Sequence, residues 1–111
     1  ASLIHRSISE MVEIVNNYSG KTDTVYGLAG LGDLYVSVSG GRNSTMGKYL
    51  GQGYLYKEAK EKFMKNTTVE GAELALEIGP KLMSKFDKRK FPLLFSILEC
   101  ICENKKLQID W

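Results

Sequence analysis

The stretch Gly27-Leu28-Ala29-Gly30-Leu31-Gly32-Asp33-Leu34-Tyr35-Val36-Ser37-Val38-Ser39 decides the fold class, because it reads with either of two periods. Leu34, Val36 and Val38 alternate with Tyr35, Ser37 and Ser39 as in a strand, whereas Leu28, Leu31, Tyr35 and Val38 share one face of a helix. No second strand-like run with a hairpin signal stands nearby, so a lone strand would leave its backbone groups without partners. Helix is the expectation, and it makes the whole chain all-α.

The flanking segments agree. Ile4, Ile8, Met11, Val12 and Val15 recur at helical spacing, with Arg6, Ser9, Glu10, Glu13, Asn16 and Asn17 mostly opposite, which predicts an amphipathic helix over 2–18 stopped at Ser19-Gly20. His5 falls on its polar side and is assigned no base role. After Gly40-Gly41, the residues Met46, Tyr49 and Leu50 predict a short helix closed by Gly51 and Gly53. A helix over 55–64 turns Tyr56, Ala59 and Phe63 inward and leaves Lys57, Glu58, Lys60, Glu61 and Lys62 as a solvated face. From Glu70, Leu74, Ala75, Ile78 and Leu82 share a face, and Pro80 should kink that helix or end its regular hydrogen bonding. Asp87 to Lys90 reads as a loop. Pro92 suits the first turn of a last helix whose apolar stripe is Leu94, Phe95, Leu98, Ile101 and Cys102. One domain over 1–111, of about six helices, is the result.

The chain has 111 residues, 43% hydrophobic and 25% charged, enough to bury about two thirds of its surface around a core. Fifteen Lys and Arg against thirteen Asp and Glu leave a net charge of +2, too weak a field for a nucleic-acid binder that works by counterion release. No apolar run spans a bilayer and no signal-like segment opens the chain, so a soluble, cytoplasmic protein is expected. Cys100 and Cys102, two apart on one helix, point about 200° from each other, which argues against a disulfide between them and for core thiols. With His5 far off in sequence no metal site is expected.

Familiar nucleotide motifs fail on spacing. The glycines at 27, 30 and 32 fall as G-x-x-G-x-G with no strand before them, and the frame from Gly30 puts Tyr35 where a third glycine belongs. Before Gly47-Lys48 the phosphate-loop spacing is one residue too long, and Tyr49 replaces the magnesium-binding hydroxyl. Two other features carry more. Asp33 lies among leucines and glycines, where a carboxylate needs a partner; it reads either as a helix-surface aspartate or as a functional group. Gly40-Gly41-Arg42-Asn43 opens a helix whose first N–H groups and dipole favour an anion, with an arginine fork suited to phosphate; the plain alternative is a glycine turn with Asn43 as helix cap.

Taken together and in order, Gly27 to Asp33, Gly41-Arg42-Asn43, Leu50-Gly51-Gln52-Gly53 and Val69-Glu70-Gly71 resemble the C-terminal, substrate-binding domain of the NAD(P)-dependent glycerol-3-phosphate dehydrogenases. The likeness covers essentially the whole chain and includes the helix of 2–18. It implies the all-α fold of the 6-phosphogluconate dehydrogenase C-terminal type and an oxidoreductase that interconverts dihydroxyacetone phosphate and sn-glycerol 3-phosphate, feeding glycerophospholipid synthesis. It further implies a preceding dinucleotide-binding domain that holds most of the NAD or NADP, a general acid/base lysine upstream of Ala1, a homodimeric parent, and no activity for this piece alone. Carried over residue by residue, Asp33 matches an active-site carboxylate beside the substrate. Gly41, Arg42 and Asn43 match the substrate-phosphate site, and Arg42, Thr68 and Glu70 match positions that approach the dinucleotide. Two competing readings are a non-catalytic helical interaction module, which needs neither Asp33 nor Arg42, and the second domain of another hydroxy-acid dehydrogenase, against which the Gly41-Arg42-Asn43 block argues.

Overall fold

A computed structural model describes residues 2–17 and 40–109 of the chain, which fall in two compact units treated separately below. Five helices occupy the described residues and no strand is found among them. The helix expected over 27–39, with Asp33 in it, lies outside the described residues.

In the first unit, α1 runs Ser2–Asn17, and Ser7 Oγ donates to the Leu3 carbonyl at 2.8 Å. Ile8 is buried and His5 exposed, as the periodicity requires. Glu10 departs from it: expected on the polar side, it is buried.

The second unit, residues 40–109, holds α2 (Arg42–Gly51), α3 (Tyr56–Phe63), α4 (Glu70–Lys85) and α5 (Pro92–Cys102). Its core joins Met46 and Leu50 of α2, Tyr56 and Ala59 of α3, Ala72 and Ala75 of α4, and Leu98, Cys100 and Ile101 of α5. The most extensive packing is between α4 and α5; α2 rests on α3 and α4, and α3 on α5. Local chemistry sets the helix ends. Gly53 turns the chain out of α2 at φ 104°, its N–H on the Leu50 carbonyl at 3.1 Å. Glu58 reaches back to accept the Leu55 N–H, and Asn104 Oδ1 accepts the Lys57 N–H at 3.1 Å, satisfying another first-turn donor of α3 from the far end of the unit. Pro92 opens α5 at a position where a missing N–H costs nothing.

α4 runs through Pro80 to Lys85; proline leaves the Leu76 carbonyl without its helical donor, and Pro80 and Leu76 both lie on the exposed side, where water can serve that carbonyl. Two expectations are corrected here. The buried face of α4 is Ala72, Ala75 and Gly79, while Leu74 and Ile78 remain 55% and 37% exposed. Small residues win that face because they let α5 come close: a Cβ on Gly79 would stand 2.6 Å from Cys102 Sγ and 3.1 Å from Leu98 Cδ2. Phe63 is exposed rather than inward, and stacks flat on Tyr49 with ring centroids 4.3 Å apart. The expected stripe of α5 holds for Phe95, Leu98 and Ile101, joined by Leu93 and Cys100, with Leu94 and Cys102 partly buried. Both cysteines are free thiols.

Among the described residues no helix is long and apolar enough to cross a membrane, and no three His, Cys, Asp or Glu side chains gather as a metal site would need.

Candidate functional site

Gly41 takes φ 98°, a left-handed conformation open to glycine at little cost, and thereby turns the chain sharply into α2. Its carbonyl accepts both the Thr45 N–H at 3.0 Å and the Thr45 hydroxyl at 2.9 Å. The helix therefore starts at Arg42, with glycine rather than Asn43 in the capping position and no side chain capping the first turn. Asn43 is spared for another task.

That task lies 28 residues away. α4 also begins without a side-chain cap, since Val69 precedes it, and Asn43 Oδ1 accepts the N–H of Gly71 in its first turn at 3.0 Å. Beside this contact, Arg42 Nη2 donates to Glu70 Oε1 at 3.0 Å. The N-terminal turns of α2 and α4 are thus tied together by two polar contacts, and both helices direct the positive end of their dipoles to the same corner. Arg42 and Glu70 stay open to solvent, with side chains 56% and 71% exposed. One guanidinium nitrogen is engaged by Glu70, and the fork keeps further donors for an anion.

Of the residues singled out from sequence, Gly41, Arg42, Asn43 and Glu70 are brought together at this corner. Thr68 stands exposed two residues before Glu70; among the described residues no hydrogen bond ties it to Arg42 or Asn43. Asp33 lies outside the described residues. The donor set suits parts of a dinucleotide as well as a substrate: Arg42 could take a phosphate and the Glu70 carboxylate a ribose hydroxyl, with Thr68 close in sequence. A cavity of about 160 Å³ elsewhere, lined by Ser96, Glu99, Lys105, Lys106 and Gln108, contains none of these residues.

Residues 1–109 match the family model described as NAD-dependent glycerol-3-phosphate dehydrogenase C-terminus. The chain belongs to this family. Among its relatives, the NADP(+)-dependent glycerol-3-phosphate dehydrogenase of Archaeoglobus fulgidus is 36% identical over 105 residues, covering 93% of this chain and 31% of the relative. A glycerol-3-phosphate dehydrogenase (NAD(P)+) of Zymomonas mobilis is 37% identical over 105 residues, covering 91% and 29%. One from Chlamydia pneumoniae is 34% identical over 110 residues, covering 97% and 32%. The chain thus spans about a third of the length of these relatives. No solved structure matches it. The helical architecture agrees with a glycerol-3-phosphate dehydrogenase C-terminus.

Sequence reasoning quoted Gly71 within the Val69-Glu70-Gly71 block but gave it no part in the site. The available signal was a glycine in the first turn of a helix, where alanine is the better helix former and the backbone has no positive φ to demand glycine.

Proposed function

We propose that this chain is the substrate-binding domain of an NAD(P)-dependent glycerol-3-phosphate dehydrogenase, and that Gly41, Arg42 and Asn43 receive the phosphate of dihydroxyacetone phosphate, with Glu70 holding Arg42 beside them. Family membership supports the reaction. The observation that carries the site is the joining of the α2 and α4 first turns through Arg42–Glu70 and Asn43–Gly71, which gathers a guanidinium, a carboxamide and two helix N-termini where a dianionic phosphate would be stabilised.

In this reading the phosphate is an anchor. Arg42 binds it through its fork, Asn43 and the uncapped N–H groups of α2 add donors, and the held phosphate fixes how far the substrate carbonyl stands from the reacting groups. Asp33, outside the described residues, takes the active-site carboxylate role that the family resemblance assigns to it, and the general acid/base lysine belongs to the preceding domain. When bound, the nicotinamide cofactor supplies the hydride; a proton delivered to the carbonyl oxygen completes sn-glycerol 3-phosphate. Arg42, Thr68 and Glu70 face the dinucleotide, most of which the preceding domain holds. The parent enzyme is a cytoplasmic homodimer serving glycerophospholipid synthesis.

The test is Arg42→Ala in the intact enzyme. Loss of the charged partner of the substrate phosphate should lower kcat/KM by on the order of 2 to 4 kcal/mol, roughly 30- to 1,000-fold, and Arg42→Lys should recover only part of it. A change of less than about threefold in the folded variant would reduce Arg42 to a turn residue.

A further inference from the structure

The second residue of α4 is glycine for a reason the helix does not supply. Its φ is not in the left-handed region, and alanine would serve a helix better. What a side chain at position 71 would meet is Asn43: a Cβ there would stand 3.0 Å from Oδ1, 3.2 Å from Cγ and 3.3 Å from Nδ2. The flat carboxamide lies against the bare backbone of Gly71.

This approach also fixes which way round the carboxamide is. A backbone N–H only donates, so the Asn43 atom 3.0 Å from Gly71 N has to be the oxygen. With Oδ1 turned onto the Gly71 N–H, the other end of the Asn43 carboxamide is NH2, which donates and does not accept. The neighbouring residues run the same way, Arg42 being held by Glu70 just before Gly71.

We propose that Gly71 is a positioning residue that clamps the Asn43 carboxamide with its NH2 toward the substrate phosphate, making position 43 a donor-only contact that selects an oxyanion. The proposal rests on the phosphate reading given above. It requires Gly71 to act through Asn43 and to touch no substrate itself.

The experiment is steady-state kinetics of the intact enzyme with dihydroxyacetone phosphate. Gly71→Ala should raise KM about tenfold, the weight of one misplaced hydrogen bond, and move kcat by less than about twofold. In an Asn43→Ala background the same substitution should change KM by less than about twofold, because the side chain it displaces is gone. Asn43→Asp keeps an oxygen for the Gly71 N–H but turns a second, charged oxygen on the phosphate; its KM should exceed that of Asn43→Ala by about tenfold or more. A Gly71→Ala effect that persists undiminished without the Asn43 side chain would show a merely structural glycine and overturn the proposal. So would an Asn43→Asp enzyme that binds substrate as well as Asn43→Ala. If instead Arg42→Ala and Asn43→Ala both leave KM unchanged, the phosphate reading itself falls, a different outcome from failure at position 71 alone.

Discussion

Helix α4 carries two glycines that do opposite work. Gly71, in the first turn, leaves room for a polar side chain from α2 at an exposed corner; Gly79, two turns later, leaves room for Cys102 and Leu98 of α5 inside the core. At the corner the contacts are hydrogen bonds and an open ion pair, individually small for stability but directional. Along the seam the contacts are dispersion and exclusion of water, without direction but sensitive to a single methyl group. The comparison teaches that one residue type on one helix can mark a site or a packing constraint. What separates them is the chemistry of the atom that would collide with a Cβ.

The largest effect on stability belongs to the seam. Gly79→Ala would place its Cβ 2.6 Å from Cys102 Sγ and 3.1 Å from Leu98 Cδ2. The Cys102 thiol, which donates to the Ala75 carbonyl at 3.1 Å, cannot retreat without losing that bond. The expected cost is about 1–3 kcal/mol, read as a lower midpoint in denaturant or heat. Removing the obstruction with Cys102→Ala should make the double variant less unstable than the two single changes added together. Strict additivity would mean that Gly79 and Cys102 do not collide, and the contrast with Gly71 would lose its physical basis.

A smaller effect is expected at the corner. Arg42 and Glu70 are both more than half exposed, so water screens their attraction, and Glu70 adds a favourable charge in the first turn of α4. Glu70→Gln should shift unfolding free energy by less than about 1 kcal/mol. A loss as large as that of Gly79→Ala would show the corner to be a structural lock.

How far the sequence disclosed this arrangement follows from the same contrast. Helix starts and stops were legible wherever a backbone requirement marks them: Gly41 and Gly53 with positive φ, and Pro92 opening α5. The α5 stripe was legible because large apolar residues recur on one face. The buried face of α4 was not, since hydrophobic periodicity favours the largest side chains, Leu74 and Ile78, whereas the packed face uses the smallest, Ala72, Ala75 and Gly79. At the candidate site, Gly41-Arg42-Asn43 read correctly as the opening of a helix. Its meeting with Glu70 and Gly71, 28 residues on, leaves no trace in spacing; the family resemblance grouped Arg42 with Glu70, and only the folded chain joins Asn43 to Gly71.

The smallest effect separates the two regions by pH. In the core, burial pushes the Cys100 thiol above its ordinary value of 9.0. Cys102 moves the same way, through burial first and then the negative charge of Glu103. Tyr56 in the core is likewise raised from 10.0, by burial and then by Glu73. In each case the folded protein holds its proton more tightly than the unfolded chain does. As pH rises toward and past 9, the unfolded chain gives up protons first, so it binds fewer than the folded state and the unfolding free energy falls with pH. The stability is intact below the unfolded thiol value and declines through the alkaline range. Replacing both cysteines by alanine should therefore flatten the alkaline part of the stability profile, whatever it does to absolute stability. Because the thiolate is the nucleophile, both thiols should also react slowly with a thiol reagent at pH 7, and faster once the protein is unfolded. Fast labelling of Cys102 in the folded protein at pH 7 would mean that the seam opens to solvent, and that the close approach at Gly79 is not what holds α4 against α5.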